Sequence, residues 1–310
     1  MTRMTTRNGS PISQFAFGTM QFGGKADDAS SQAMFTACRE ADINHFDTAV
    51  GYTDGASETL LGPMIKAGRD ALFLATKVGY AGGAGRQNIL AQFDISRSQL
   101  GEDAVDLLYM HRFDDNTPLE ETFETLADLQ RQGLIRYIGV SNYAAWQVVK
   151  ANAVAQKLGT RIDAIQPMYN LVKRQAEVEI LPMAEDQDIT IFPYSPLGGG
   201  LLTGKYRAGG AGRLAEDSRY NARYGQAWMH DCAAKLADLA HAKGHDPATL
   251  AVAWVAKHQV KPRPIISARS TKQLVPSLAA VGFTMDDALY QEVTGLSITP
   301  PPATDRLEEA

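Results

Sequence analysis

Four side chains between positions 47 and 111 are of types that could together move a proton: Asp47, Tyr52, Lys77 and His111. A free phenol has a pKa near ~10, so a lone tyrosine is a poor donor and a worse base at neutral pH. A lysine ammonium beside it favours the phenolate and pulls that pKa down. A carboxylate beside the lysine keeps the amine charged and oriented. A histidine within reach of the phenol can hydrogen-bond a substrate oxygen or share the proton. Such a set is a donor aimed at a carbonyl oxygen on its way to an alkoxide. Each member also has a plain structural alternative: Lys77 as a snorkelling strand-end lysine, Asp47 as its ion-pair partner, His111 as a satisfied polar residue, Tyr52 as a loop aromatic. The combination is harder to explain that way than any one member.

The elements that must position these residues follow from hydrophobic pattern. Apolar runs at 15–20, 43–49, 71–79, 105–111, 135–142, 164–169, 190–197 and 264–268 predict strands. Helical spacing predicts helices at 27–41, 57–67 (with Ser57 as N-cap), 86–100, 118–131 (Pro in the first turn), 144–158, 178–187, 228–243, 247–257, 271–280 and 286–295. A glycine-rich stretch and long polar loop occupy 198–226, and the tail ITPPPATDRLEEA is proline-rich, then charged. The strands are apolar along their length, as parallel strands covered on both faces are. Eight strand–helix units predict an α/β fold, a single-domain (β/α)8 TIM barrel over residues 1–310 with extra helices and a tail from about 297; a doubly wound open sheet is the competing arrangement. In a barrel the strand C-termini share one rim, so Asp47, Lys77, His111, Ser141, Asn142, Gln166, Tyr194 and Ser195 converge on one cleft.

Composition narrows the function classes. The chain is 45% hydrophobic and 21% charged, a globular balance, and its formal charge of −5 shows no basic stripe for nucleic acid. Cys38 and Cys232 are far apart with no CxxC, which predicts neither a disulfide framework nor a cysteine metal site and suits a reducing cytoplasm. No apolar stretch approaches the length of a membrane span, and the N-terminus lacks a secretory pattern. GGLLTGK at 199–205 nearly spells a P-loop, but Tyr206 stands where Ser or Thr should hold Mg²⁺. His241 and His245 are four apart, yet Gly244 lies between them and no third ligand is evident. No metal is expected.

FDTA followed by GY and a downstream SE, then TKVG, the histidine of DLLYMHR, IGVSN, QPMYN and YSPLGGGLLTGKY occur in this order, and together they resemble the aldo-keto reductase superfamily, most of all its bacterial and fungal aryl-alcohol dehydrogenase-like branch. The resemblance implies a barrel that binds NADP(H), in preference to NAD(H), in extended form without a Rossmann motif. It implies Tyr52 as general acid/base, Asp47 and Lys77 as its tuning groups and His111 as the group orienting the carbonyl. On the cofactor side it implies Gly18, Thr19, Met20 and Asp47 at the first two strand ends. Ser141, Asn142 and Gln166 would hold the carboxamide and Tyr194 stack on the ring. Ser195, Pro196, Leu197, Gly198, Gly200, Leu201 and Lys205 would cradle the pyrophosphate, as backbone N–H groups in a glycine-rich turn can. Ile266, Ser267, Arg269, Gln273 and Ser277 would hold the adenosine end, Arg269 facing a 2′-phosphate. Ser267 replaces the usual glycine of that segment, and Ser277, preceded by Pro276, the usual adenine-contacting asparagine.

The expected activity is hydride transfer between aldehydes or ketones and alcohols, on a small-molecule substrate. Phe22, Tyr80, Phe113, Tyr143 and Trp228 are candidates for an apolar substrate pocket, and Arg112 for an anionic group or for solvent. Two other classes are compatible with the residues: a barrel aldolase or isomerase with Lys77 as Schiff-base amine, and a cofactor-bearing subunit with little turnover.

Overall fold

Counting in twos along the strands separates two cores. In the computed structural model, which describes residues 4–208, 212–306 and 308, the strands are β1 (Ala16–Gly18), β2 (His45–Asp47), β3 (Phe73–Val78), β4 (Val105–Met110), β5 (Ile135–Ser141), β6 (Ala164–Gln166), β7 (Thr190–Ile191) and β8 (Ile265–Ile266). Ala16, Phe73, Ala75, Leu107, Tyr109, Ala164, Phe192 and Ile265 pack together as one apolar cluster. The intervening residues Phe17, Phe46, Leu74, Leu108, Ile138, Ile165 and Ile266 pack in another, with the helices. Successive strand side chains point to opposite faces, so the first set fills the barrel interior and the second lies under the helical layer.

All neighbouring strands pair in parallel, in the order β7-β6-β5-β4-β3-β2-β1-β8. The two edges meet through Arg263 N–H to Ile191 O (2.8 Å) and Ile265 N–H to Pro193 O (2.9 Å), which closes the (β/α)8 barrel. Register is staggered around the ring: Gly18 lies beside Asp47, Asp47 beside Ala75, Lys77 beside Tyr109, and Ser141 beside Gln166.

The outer layer is α1 (Asp28–Glu40), α2 (Ala56–Ile65), α3 (Arg86–Leu100), α4 (Leu119–Arg131), α5 (Ala145–Lys157), α6 (Ile180–Asp186), α7 (Arg213–Glu216), α8 (Ser218–Tyr224), α9 (Ala227–Ala242), α10 (Pro247–Lys257), α11 (Thr271–Ala279) and α12 (Asp287–Thr294). Two starts differ from the expectations. Gly55, at φ 92°, caps α2. Ser57 instead turns inward and ties strand ends together, because its hydroxyl is fully buried beside polar partners. Pro118 is the N-cap of α4, one position before the first turn.

Two features were not foreseen. The stretch expected as a loop at 198–226 carries structure in its described residues, 209–211 lying outside them: Gly198–Thr203 and Lys205–Ala208 form 3₁₀ turns, and α7 and α8 follow. The polar N-terminus closes the barrel floor, with Thr5 bridged antiparallel to Pro11 and Met4 and Ile12 in the interior cluster. Arg136 pins this hairpin through Thr5 O (2.7 Å) and Asp106 (2.9 Å), and Arg263 pins it through Ile12 O (2.9 Å) and Ser13 O (2.8 Å).

His45 stands in that floor, fully buried, edge-on to Phe73 and Phe192 at 4.8 Å each, and neither ring nitrogen has a partner among the described residues. Burial, then the charges of Arg263 and Lys77, lower its pKa to about 3. A histidine held neutral contributes stability that is present above its unfolded value near ~6.5 and lost as pH falls toward the folded value. At pH about 4.5 that loss is about 2.7 kcal/mol for this one group. His45→Phe should therefore narrow the gap in Tm between pH about 7.5 and about 4.5. Thermal melts at the two pH values check this, and an acid loss as large as the wild type's would contradict it.

Candidate active site

Counting on in twos from the interior cluster reaches the rim at Gly18, Asp47, Lys77, His111, Ser141, Gln166, Tyr194 and Ser267, one position per strand. Strand periodicity is therefore what gathers these residues in one cleft.

Lys77 is fully buried, and its Nζ makes a very short ion pair with Asp47 Oδ1 and donates to Thr48 O at 2.6 Å. Gln166 Nε2 donates to the other oxygen, Asp47 Oδ2, at 2.9 Å. The Lys77 ammonium lies 4.9 Å from the Tyr52 ring centroid, and the Tyr52 and His111 rings meet edge to face at 5.8 Å. Burial raises the Asp47 carboxyl, while the charge and hydrogen bond of Lys77 and then Gln166 counter it. Lys77 is raised, because Asp47 and Tyr52 outweigh its burial. The ammonium therefore keeps its charge without solvent.

The Tyr52 phenol departs from the sequence expectation of a lowered pKa. Burial is the largest influence and raises it, Lys77 pulls it back, and Asp47 opposes Lys77. Burial explains the difference: losing solvent disfavours the phenolate more than the nearby Lys77 charge, partly offset by Asp47, can restore. The phenol is thus firmly protonated at neutral pH. His111 is lowered to about 3 by burial, then by Lys77 and Arg112, so its imidazole is neutral.

The local backbone that presents Tyr52 is strained. Thr53 (φ 50°) and Asp54 (φ 53°) are consecutive non-glycine residues in the left-handed region, and Gly55 follows at φ 92°. A β-branched residue there costs on the order of 1–3 kcal/mol. Thr53 Oγ1 holds the turn by bonding to Phe22 O at 2.7 Å. Ser57 Oγ donates to Thr19 O (2.9 Å) and lies within 2.8 Å of Thr19 Oγ1 and 3.1 Å of Thr48 Oγ1, joining β1, β2 and α2 beneath the turn. Behind β3, buried Glu58 accepts a hydrogen bond from Thr76, the residue before Lys77. The SE pair of the motif therefore buttresses the site from outside the cleft.

On the far side, Ser141 Oγ donates to Gln166 O (3.0 Å), Asn142 Nδ2 to His111 O (2.9 Å), and Tyr194 Oη to Asn142 Oδ1 (2.8 Å). Asn142 (φ 56°) and Ser195 (φ 57°) are further left-handed non-glycines, concentrated at this rim. Gly198, Gly199 and Gly200 all have positive φ, and a Cβ on Gly199 would lie 2.7 Å from the Tyr220 ring. The turn therefore requires glycine, and it is held by Gly198 N–H to Ser195 O and Gly200 N–H to Leu197 O, 2.9 Å each. At the end of the cleft, Arg269 and Lys25 flank Glu216 at 3.3 and 3.9 Å. The Ser267 and Ser277 hydroxyls are buried without partners among the described residues, and Gln273 accepts from the Arg269 N–H at 3.3 Å. A turn of three glycines without side chains, an arginine at its far end and two unsatisfied hydroxyls fit a long phosphorylated ligand. Met20 is half-buried beside β1, Leu201 is buried, and Lys205 lies 3.2 Å from the position of a Gly200 Cβ. Pro196 and Leu197 continue the same turn, and Ile266 is buried in β8.

Of the aromatic candidates, Tyr80 stands 5.0 Å from His111 and is 58% exposed, at the cleft mouth. Phe113 packs edge-on to Tyr143 at 5.0 Å and meets Trp146 at 6.1 Å, a partner the sequence reading did not include. Phe22 is fully buried against Phe17 at 5.7 Å, in the outer core rather than on the open wall, because it tucks under the β1–α1 turn. Trp228 lies on α9 with its indole N–H on Gln226 (2.6 Å). Sequence reading also missed Tyr109, whose ring fills the space left by Gly139, and Tyr220, whose ring packs against Gly199. Strand alternation could have found Tyr109; nothing local marks Tyr220.

The aldo/keto reductase family model matches residues 14–298. The chain is similar to the uncharacterized oxidoreductase YrpG of Bacillus subtilis (strain 168), 32% identical over 92% of each chain. It is similar to a probable voltage-gated potassium channel subunit beta of Oryza sativa subsp. japonica, 31% identical over 89% of each. It is also similar to aflatoxin B1 aldehyde reductase member 2 of Rattus norvegicus, 36% identical over 61% of this chain and 53% of the relative. The chain belongs to the aldo/keto reductase family, and so to oxidoreductases acting on carbonyl compounds.

Proposed function

We propose that the chain is an NADP(H)-dependent oxidoreductase that interconverts aldehydes or ketones and alcohols, working as one barrel unit with Tyr52 as the general acid/base. The observation that carries this reading is the contact set Asp47–Lys77–Tyr52–His111 on three adjacent strand ends and the loop between them. When bound, the nicotinamide supplies or accepts the hydride. In reduction, the Tyr52 phenol gives its proton to the carbonyl oxygen as that oxygen becomes an alkoxide. Lys77 offsets the phenolate charge left behind, and Asp47 holds Lys77 in place with its charge intact. His111, neutral, donates a hydrogen bond to the same oxygen and fixes its direction. In oxidation the proton moves back to Tyr52.

Ser141, Asn142, Gln166 and Tyr194 would hold the nicotinamide end, the 195–201 turn with Lys205 the pyrophosphate, and Ser267, Arg269, Gln273 and Ser277 the adenosine end. A 2′-phosphate at Arg269 would take the place of Glu216 on the guanidinium, one anion exchanged for another. Arg269→Ala should weaken NADPH binding by roughly 10–100-fold, the worth of a charge-assisted bond, and NADH binding little. Fluorescence titration with both dinucleotides tests the cofactor reading. Equal weakening of the two would assign Arg269 a structural role instead.

A Schiff-base role for Lys77 is disfavoured by the same geometry. The amine is fully buried, raised and paired, whereas such chemistry needs a neutral nucleophile.

A further inference from the structure

The mouth of the cleft carries positive charge that the protein does not neutralise. Arg112 follows His111 and lies over the exposed Tyr80 ring at 5.3 Å. Tyr80 in turn stands 5.0 Å from His111, so one aromatic ring separates the guanidinium from the group beside Tyr52. Arg112 has no carboxylate partner and no hydrogen bond among the described residues. Other surface arginines do: Arg86 pairs with Asp128 at 2.7 Å, Arg219 with Asp217 at 2.9 Å and Arg269 with Glu216 at 3.3 Å.

The nearest carboxylate on the same loop, Asp114, is already engaged by Ala84 N–H (2.8 Å), Thr117 Oγ1 (2.6 Å) and Asn116 N–H (3.0 Å). On the α8 side Arg223 repeats the arrangement. It lies over the Tyr220 ring at 5.5 Å, forms no ion pair among the described residues, and its charge bears on Tyr194. Lys77, by contrast, is fully buried and paired with Asp47. A chain of formal charge −5 thus presents, among its described residues, two guanidinium groups without an ion pair at its cleft mouth, each over a tyrosine ring at cation–π distance. That contact uses the face of the guanidinium and leaves its N–H edge for a carboxylate or phosphate, which it can take in two parallel bonds.

We propose that the preferred substrates are carbonyl compounds bearing an oxyanion, a carboxylate or a phosphomonoester, about one ring's breadth from the carbonyl, and that Arg112 binds this group while Arg223 helps draw it in. This rests on the carbonyl-reduction reading of the same cleft. An anion at Arg112 with its carbonyl at Tyr52 and His111 fixes the substrate at two points, so the charge selects the substrate and also orients it.

The test compares matched pairs with wild type. 4-Carboxybenzaldehyde against its methyl ester probes a carboxylate, and glyceraldehyde 3-phosphate against glyceraldehyde probes a phosphate. In at least one pair the charged member should show kcat/KM higher by about tenfold or more, with a KM that rises between about 50 and about 500 mM NaCl while the neutral partner's does not. Arg112→Gln should lower the charged-to-neutral ratio by about tenfold through KM, and Arg112→Lys should fall between, keeping charge but losing the fork. Melting curves establish that these exposed-site variants are folded. Equal use of both members in both pairs, or a ratio unmoved by Arg112→Gln, would overturn the inference and leave the reductase reading standing. Failure of the wild type to reduce any carbonyl, charged or neutral, defeats the reductase reading and this inference with it.

Discussion

Tyr52→Phe should lower carbonyl reduction by about 10³-fold or more, at the upper part of the range for a lost general acid, and leave dinucleotide affinity within about twofold. The change removes one oxygen. The ring that meets His111 edge-on and lies over the Lys77 ammonium stays, so packing is preserved. The wild-type pH profile belongs to the same expectation. Because burial raises the phenol beyond an ordinary tyrosine, reduction should stay level through neutral pH and decline only as pH passes the usual tyrosine value. Oxidation, which needs the phenolate, should rise over the same interval. Steady-state rates in both directions check this, and a reduction rate that falls away already near pH ~7 would point to another donor.

Lys77→Met is expected to have the largest effect on stability, on the order of 3–5 kcal/mol, together with near-complete loss of activity. Lys77 has no solvent-exposed surface and Asp47 almost none, so removing the cation leaves a carboxylate in an apolar interior with only Gln166 to hold it. That carboxyl would take up a proton, and the variant would lose stability as pH rises from the ordinary carboxylate value of about 4 up to its own raised value, above which the loss is complete. The double variant Asp47→Asn/Lys77→Met should recover much of the lost stability, since no buried charge is then uncompensated, but none of the activity. Denaturant unfolding of the single and double variants separates the two effects. A single variant as stable as the double would show that the pair is not coupled in this way.

Much of this was legible beforehand. The strands are buried on both faces, so their near-continuous apolar runs identify them, and their C-terminal polar residues identify the rim. Asp47, Lys77, His111 and Gln166 fall where alternation puts them. What was not legible depends on contacts remote in sequence. The inward Ser57 hydroxyl meets Thr19 and Thr48, which nothing near position 57 announces. The floor hairpin is pinned by Arg136 and Arg263, more than a hundred residues away. The 198–226 stretch reads as polar loop because its helices are short and half exposed, yet it brings Tyr220 and Glu216 to the cleft. The direction of the Tyr52 shift was misjudged because sequence supplies the neighbouring cation but not the depth of burial or how tightly Asp47 holds that cation.

The central claim is that this cleft reduces carbonyls with NADPH, and its most direct test is NADPH loss by the purified wild-type chain across a panel of aldehydes and ketones. The expected result is carbonyl-dependent oxidation of NADPH with matching alcohol formation, weaker with NADH and absent in Tyr52→Phe. Tight NADPH binding without turnover on any carbonyl, or turnover that persists undiminished in Tyr52→Phe, would contradict it.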